Sequence, residues 1–233
     1  MSNVLIVARK ELRELLGTRS TVLTGAAMSL FFGGLYSIRV GQGSIPVEAS
    51  LGSMLFFLTT TIGVFMGYML TGHVFLREKM DGVVETLLCS PVTLRDVWLG
   101  KVVAVTALAD LFALASSVLT VTVTGLINDT VAVPPAAIVV HVLIVIPMVI
   151  GCFVGLLGFA QLLLGMRENR IIGMVLFIPI FGALYGLGYT ATGSFVASWL
   201  HVAILAGVAA AVLAVLSLAS RRLNKERIVT TLS

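Results

Sequence analysis

Four ionisable side chains lie within long apolar stretches of this 233-residue sequence: Asp110, His73, His141 and His201. A charge in hydrocarbon is costly, so each is expected to face protein or a water-filled path, where it could relay protons or bind an ion. Asp110 follows Lys101 by nine residues, which places it roughly 13 Å along a helix that rises about 1.5 Å per residue. Asp110 is therefore the candidate pathway residue. A packing role, in which it fixes helix contacts through hydrogen bonds, stays open.

Other kinds of site have less support in the sequence. His141, His201 and Asp129 carry ligand types that suit a transition metal, but they lack the close spacing of a ligand set, so we expect no metal site. No HExxH or GxSxG motif occurs, and the scattered histidines supply no pair of nucleophile and base. A membrane enzyme is therefore a weak alternative.

A nucleotide site is also not expected. A phosphate-binding loop needs Gly-x-x-x-x-Gly-Lys followed by Ser or Thr, so that backbone donors surround the phosphates and the hydroxyl reaches magnesium. The only Gly-Lys pair is Gly100-Lys101, with Arg95 in place of the first glycine and Val102 after the lysine. Any ATP that drives this protein must then be bound by another chain.

The elements that position these residues must face lipid. Hydrophobic residues make up 58% of the chain and charged residues 11%, with a mean hydropathy of +1.09, whereas an ordinary soluble domain has roughly 25% charged residues. Six apolar stretches are long enough to cross about 30 Å of hydrocarbon as helices. We predict an all-α polytopic membrane protein with a single domain, 1–233, and spans at 21–38, 50–76, 102–127, 136–166, 171–192 and 198–220.

Basic residues alternate between the segments that connect these spans. Of the 15 Lys and Arg residues, 14 lie before the first span, between the second and third, between the fourth and fifth, and after the sixth. Only Arg39 lies on the other side. The positive-inside rule then predicts a multi-pass protein of the cell membrane with both termini in the cytoplasm. The net charge of +4 describes edges near anionic lipid, so the bilayer is the expected partner and nucleic acid is not.

The N-terminal segment, 1–19, is predicted to form an amphipathic helix on the inner membrane surface. At about 100° per residue, its apolar side chains gather in an arc of about 120°. The residues of this arc are Val4, Leu5, Ala8, Leu12, Leu15 and Leu16. Arg9, Lys10 and Arg13 fall outside the arc, where they would meet water and anionic headgroups. A simple anchoring role and a specific docking role both stay open.

The cytoplasmic loop 77–101 is the largest segment between predicted spans, so a soluble partner would bind largely there. Apolar residues at helical spacing around Glu85 predict a short helix, which ends before Pro91. Thr93 is placed to cap a second amphipathic piece, 94–98, which leads into the third span. A short helix at the membrane surface could transmit a push from a cytoplasmic domain.

The order of residues in this loop resembles the cytoplasmic loop of ABC-2 type transporter permeases. In that family an acidic-basic cluster, a Gly, a Glu, paired Leu residues, a Pro and a Gly-Lys follow one another. In this chain they are Arg77-Glu78-Lys79, Gly82, Glu85, Leu87-Leu88, Pro91-Val92 and Gly100-Lys101. The segment 8–16 is also similar to the membrane-surface helix that opens those permeases. Val83 stands where the family usually has Thr, a mild departure.

The resemblance implies the permease subunit of an ATP-binding cassette exporter. Two six-span subunits, most simply a homodimer, would form the pathway, and the coupling helix around Glu85 would sit in a groove of a separate cytoplasmic ATPase subunit. The residues that the resemblance assigns to ATPase coupling are Glu78, Gly82, Glu85, Leu88 and Pro91. ATP and magnesium would be bound by that partner, while this chain would bind no cofactor and catalyse no reaction itself.

A secondary transporter is the alternative, with flux coupled to an ion gradient through Asp110. Such transporters commonly contain inverted repeats, and 21–127 has no convincing similarity to 136–220. The substrate is not identified by the sequence. An apolar pathway suits lipids or hydrophobic drugs, whereas polysaccharide, haem-related and metal-linked substrates are suggested only by family analogy.

Glycines indicate where spans could approach one another or break. Three pairs have GxxxG spacing, which permits close helix contact. They are Gly63 and Gly67, Gly151 and Gly155, and Gly182 and Gly186. Pro179 and the Gly-rich stretch 182–188 also predict a broken or re-entrant outer half of the fifth span, which requires that protein cover the freed backbone.

Overall fold

The computed structural model describes residues 3–40, 47–77, 92–129, 133–163 and 196–220, together with isolated positions between 171 and 186. Within these ranges the regular structure is entirely helical, which confirms that the protein is all-α. Five of the described helices are long and apolar enough to cross a membrane. The predicted fifth span, 171–192, lies largely outside the described residues.

Six helices have both ends within the described ranges, two of them with a π-helical turn, and the isolated described positions between 171 and 186 are helical as well. α1 precedes the five helices that are long enough to span a membrane. The bounds are α1, Asn3–Gly17; α2, Arg19–Arg39; α3, Val47–Thr71, continued by a π turn at Gly72–Leu76; α4, Leu94–Asn128; α5, Ala136–Leu163, with a π turn at His141–Val145; and α6, Trp199–Ser220. The five long helices overlap the predicted spans 21–38, 50–76, 102–127, 136–166 and 198–220.

Capping explains both ends of α4. The Asp96 backbone N–H donates a hydrogen bond to Thr93 Oγ1 over 3.2 Å, as expected of an N-cap threonine. At the other end Asp129 adopts a left-handed conformation with φ of 54°. The predicted separate piece 94–98 is instead the first part of α4, because no proline interrupts the helix between Leu94 and the third span. The loop between α3 and α4 is shorter than 77–101 for the same reason.

α2 packs on α4 through a row of small residues. The Cβ position at Gly33 would be only 2.9 Å from Leu119 Cδ2, so the helices could not be this close with a larger residue there. Between the glycines, Ser29 Oγ donates to the Phe112 carbonyl over 3.0 Å. The row is Gly25, Ser29, Gly33 and Ser37, each four residues after the last.

α3 is the most buried of the long helices and lies against α2, α4 and α5. Gly63 faces Ile150 of α5, and a Cβ at this glycine would be 2.8 Å from Ile150 Cδ1. The GxxxG pair on α3 therefore lies at a close helix contact. On the side of the predicted fifth span, the Phe177 ring stacks on Tyr68 with centroids 4.2 Å apart. α6 packs on α5 and leaves most of its apolar surface exposed, as a lipid-facing helix would.

Candidate functional site

Two buried charges lie where α1, α3 and α4 meet. Lys101 Nζ is 3.0 Å from Glu11 Oε1, and the two side chains are only 3% and 5% exposed. Such a pair is little screened by water, while either charge left alone in the same place would be strongly destabilising. The pair therefore binds α1 to the first turns of α4.

Small and aromatic side chains surround this ion pair. Gly100 lies so close to α1 that a Cβ would be 2.7 Å from the Val7 side chain and 3.0 Å from the Val4 carbonyl oxygen. The Phe75 ring, in the π turn that continues α3, has its centroid 5.8 Å from Lys101 Nζ, within cation–π range. We call this contact between Val7, Glu11, Phe75, Gly100 and Lys101 the basal junction.

α1 buries an arc that differs from the predicted one. Ala8 and Leu15 are buried as an apolar arc requires, but Glu11 is buried beside them, while Leu5 and Leu16 are about half exposed. The cause is on α4, which offers a glycine for close approach and the Lys101 charge as a partner. Leu5 and Leu16 stay on the surface of the chain, where they can contact lipid.

The three basic residues predicted at the membrane interface lie on the outside of α1. Arg9 and Arg13 are exposed, and Lys10, whose side chain is 60% exposed, lies 3.3 Å from Glu11 Oε1 and 3.7 Å from Glu14 Oε2. Exposed ion pairs contribute little to stability because water screens them. Their contact with headgroups stays a prediction.

The loop predicted to bind an ATPase leaves and re-enters the structure beside the basal junction. The π turn ends at Leu76, immediately after Phe75, and the chain is described again from Val92, just before α4. The predicted coupling residues lie in between and are outside the described residues: Glu78, Gly82, Glu85, Leu88 and Pro91. The structure thus brings together the helices that carry this loop.

Asp110 lies in the middle of α4 and is partly exposed. Its Oδ1 atom is buried and has no hydrogen-bond partner among the described residues. One turn earlier, the Thr106 hydroxyl is also without a described partner, and it lies 3.8 Å from the Cβ position at Gly151 of α5. Both the pathway role and the packing role of Asp110 therefore stay predictions.

An apolar groove of about 270 Å³ lies between α4 and α5, toward the ends of these helices marked by Asn128 and Ala136. Its lining includes Leu114 and Val118 of α4, and Ser117 and Thr122 supply its hydroxyl groups. Leu114 is one turn beyond Asp110 on the same face of α4. Asp110 therefore lies one helical turn nearer to the Leu94 end of α4 than the lining residue Leu114.

The histidines do not form a metal centre in the described structure. His141 is fully buried in the π turn of α5, stacked on Phe56, with Nε2 3.3 Å from Thr60 Oγ1. His201 lies near the start of α6, where Nδ1 is 2.8 Å from Ser198 Oγ. Among the described residues no three His, Cys, Asp or Glu side chains are grouped to hold a metal ion. Both histidines have local polar partners.

Glu11 and Lys101 were not recognised as a pair from the sequence, although a signal was present. Glu11 falls at the edge of the apolar arc of α1, and Lys101 is the last charge before an apolar span. Each is the kind of charge that needs a partner when a helix face is buried, but the sequence does not show that the two faces meet.

The chain matches no protein-family model, no curated protein and no solved structure.

Proposed function

We propose that this chain is the permease subunit of an ATP-binding cassette exporter of the ABC-2 type. In this proposal two copies form the pathway, each with six spans, both termini in the cytoplasm and the loop between α3 and α4 against a separate ATPase subunit. ATP and magnesium belong to that partner. The sequence resemblance of the loop supplies the family, and the substrate stays unidentified.

The observation that carries the proposal furthest is the basal junction. A movement of the ATPase against the loop can reach the membrane helices only if the helices that flank the loop are packed rigidly against their neighbours. The buried pair of Glu11 and Lys101 joins α1 to α4 where the chain enters that loop and leaves it. α1, α3 and α4 would then move together when the ATPase closes, as in rigid-body switching.

The direct test is recovery of an ATPase partner. We expect co-expression of the chain with an ATP-binding cassette ATPase from the same genome, followed by affinity purification, to recover a complex. Glu85→Arg should reduce the recovered ATPase at least tenfold. The longer, positively charged side chain would clash with the proposed ATPase groove or meet like charges there. Asp129→Arg is the matched control, since it reverses an acidic residue at the opposite end of α4. A complex that forms equally well with both variants would contradict the proposed docking site.

The secondary-transporter alternative rests on Asp110, whose Oδ1 atom is buried without a described partner. Liposomes that contain the chain without any ATPase separate the two functions. The permease proposal predicts no ion-driven flux in these liposomes, measured as proton uptake with a pH-sensitive dye. Proton uptake that Asp110→Asn abolishes would instead establish the alternative.

A further inference from the structure

A second cavity lies between the start of α2 and the end of α3, separate from the groove and from Asp110. Its volume is about 80 Å³, enough for several water molecules or one small ionic group. α2 contributes Ser20, Thr21 and Thr24 to the lining, and α3 contributes Met66, Met69 and His73. Nothing in the proposed export mechanism uses these residues.

Thr21 is the buried polar group of this cavity. It is 6% exposed, and its Oγ1 atom has no hydrogen-bond partner among the described residues. Some buried threonines satisfy their hydroxyls within the helix, as Thr59 Oγ1 does by donating to the Leu55 carbonyl over 2.7 Å, whereas Thr61 and Thr124, like Thr21, have no described partner. The carbonyl four residues before Thr21 belongs to Gly17 at the end of α1, so this internal bond is missing. The hydroxyl is left to donate into the cavity.

The charges around the cavity favour an anion. The three hydroxyls and the imidazole N–H are hydrogen-bond donors, and no carboxylate contributes to the lining. Ser20 and Thr21 also lie in the first turn of α2, where the helix dipole favours negative charge. Neither Arg19 nor Arg77 lines the cavity, but Arg19 precedes Ser20 and Arg77 follows His73 by one helical turn, so both add positive charge nearby. A phosphate group has the charge and the acceptor oxygens that these donors require.

The deeper wall of the cavity is apolar. Met66 is buried and Met69 is 37% exposed. Both lie on α3 farther from the basal junction than His73, which places them toward the membrane interior. The hydrogen-bond donors lie at one end of the cavity and the exposed apolar surface of Met69 lies beside them. This arrangement suits an amphiphile, which has a polar headgroup and apolar chains, better than a free ion. We propose that this cavity binds the phosphate group of an anionic membrane lipid, whose acyl chains lie against Met69.

The location supports a lipid as the source of the phosphate. His73 and Arg19 lie at the end of the bundle that carries the basal junction, which the charge distribution predicts to be cytoplasmic. The cytoplasmic leaflet holds the anionic lipids, and basic pockets between helices on this side bind their headgroups. Thioether and imidazole groups could instead bind Cu(I), but the two arginines oppose a cation.

Native mass spectrometry of the purified full-length chain tests the site, with dioleoyl phosphatidylglycerol and dioleoyl phosphatidylcholine as probes. We expect the chain to retain one phosphatidylglycerol with at least fivefold preference over phosphatidylcholine. Thr21→Val should reduce that preference at least threefold, and Arg19→Gln should do the same. Thr59→Val and Arg95→Gln are the matched controls, because Thr59 is buried in α3 and Arg95 is exposed on α4, and neither lines the cavity. Equal thermal midpoints without lipid show that the variants fold, and Ser20→Ala replaces Thr21→Val if that variant does not.

Four results would overturn the assignment. Equal binding of the two lipids, or equal losses in the Thr21 and Thr59 variants, would mean that the cavity does not recognise an anionic headgroup. Full competition by inorganic phosphate without lipid retention would assign the site to a free ion. One Cu(I) bound per chain in a background without cysteines, and lost in Met69→Leu but kept in Met54→Leu, would assign it to the metal. Lipid binding requires no ATPase, so each of these results is independent of the export proposal.

Discussion

At the scale of residues, the buried pair of Glu11 and Lys101 joins two segments that are far apart in sequence. Burial removes both charges from water, a cost that the pair offsets only while both members are present. Lys10 lies 3.3 Å from Glu11 on the exposed side, so it can partly compensate if Lys101 is lost. The energetic weight of Lys101 is therefore that of the buried partner of Glu11, reduced by what Lys10 supplies from the exposed side.

Replacement of Lys101 tests that weight. Lys101→Met keeps the length of the side chain and leaves Glu11 buried with only the exposed Lys10 nearby, so we expect a loss of about 3 kcal/mol in the free energy of unfolding. Lys10→Met removes an exposed partner and should cost less than about 1 kcal/mol. Denaturant titration in detergent, followed by circular dichroism, measures both. Equal effects of the two substitutions would contradict the buried pair.

A double substitution adds an internal control. Glu11→Gln combined with Lys101→Met removes both charges, so it should recover most of the stability lost in Lys101→Met alone, because no unpaired charge stays buried. The recovery would be absent if Lys101→Met acted only by changing packing around Phe75.

The sequence shows which charged residues lie near or within apolar helices, but it does not show which residues they contact in the folded protein. Asp110 stood out because it is a carboxylate in an apolar span, and its role in a pathway stays a prediction. Glu11 did not stand out, because an acidic residue at the edge of an amphipathic arc looks like part of the polar face. Only the approach of Gly100 to Val7 shows that this edge is buried. A single sequence lists charges, but tertiary contacts decide which of them are removed from water.

At the scale of elements, small residues decide which helices pack. α2 and α4 meet along Gly25, Ser29, Gly33 and Ser37, where the backbones come close and side chains donate to carbonyls across the contact. Helices in lipid gain little from apolar burial alone, so close packing and interhelical hydrogen bonds hold them together. The length and position of the long helices followed from hydropathy, whereas this row was missed because serine interrupts the glycine pattern.

Neighbouring glycines on α2 test the importance of this row. Gly33→Val places a side chain where a Cβ already meets Leu119 and the Ser116 carbonyl, so we expect a loss of about 1–3 kcal/mol from overpacking. Gly34→Val changes the next residue, whose Cβ position has no other atom within 4 Å. It should change stability much less, because the added side chain meets no neighbouring atom. Both substitutions alter helix propensity alike, so the difference between them reports the packing at Gly33. Thermal unfolding of the two variants in the same detergent gives the comparison.

At the scale of the whole molecule, the distribution of charge predicts the orientation in the membrane. The five long helices account for an odd number of crossings, and the predicted sixth span, 171–192, would bring the termini to the same side. Phe177 of that stretch stacks on α3, so its described part belongs to the bundle. Hydropathy predicts that the chain crosses the bilayer, while the number of crossings decides whether the ends share a compartment.

Cysteine accessibility measures that number. In a chain without Cys89 and Cys152, single cysteines at Asn3 and Ser233 should both resist a membrane-impermeant maleimide in intact cells and react after permeabilisation. A single cysteine at Asp129 should react in intact cells, because α4 ends on the opposite side. Labelling of Ser233→Cys in intact cells, with Asn3→Cys protected, would show an odd number of crossings and contradict the six-span topology.

The buried ion pair also has a consequence for the order of events during synthesis. Glu11 emerges from the ribosome 90 residues before Lys101, which at about 5–20 residues per second is a delay of roughly 5–20 seconds. Through that interval Glu11 has no Lys101 to meet, so α1 must wait in contact with water or headgroups while α2 and α3 insert. The arrival of α4 then completes the contact, so α1 is made before α2 and α3 but reaches its final place after they have inserted.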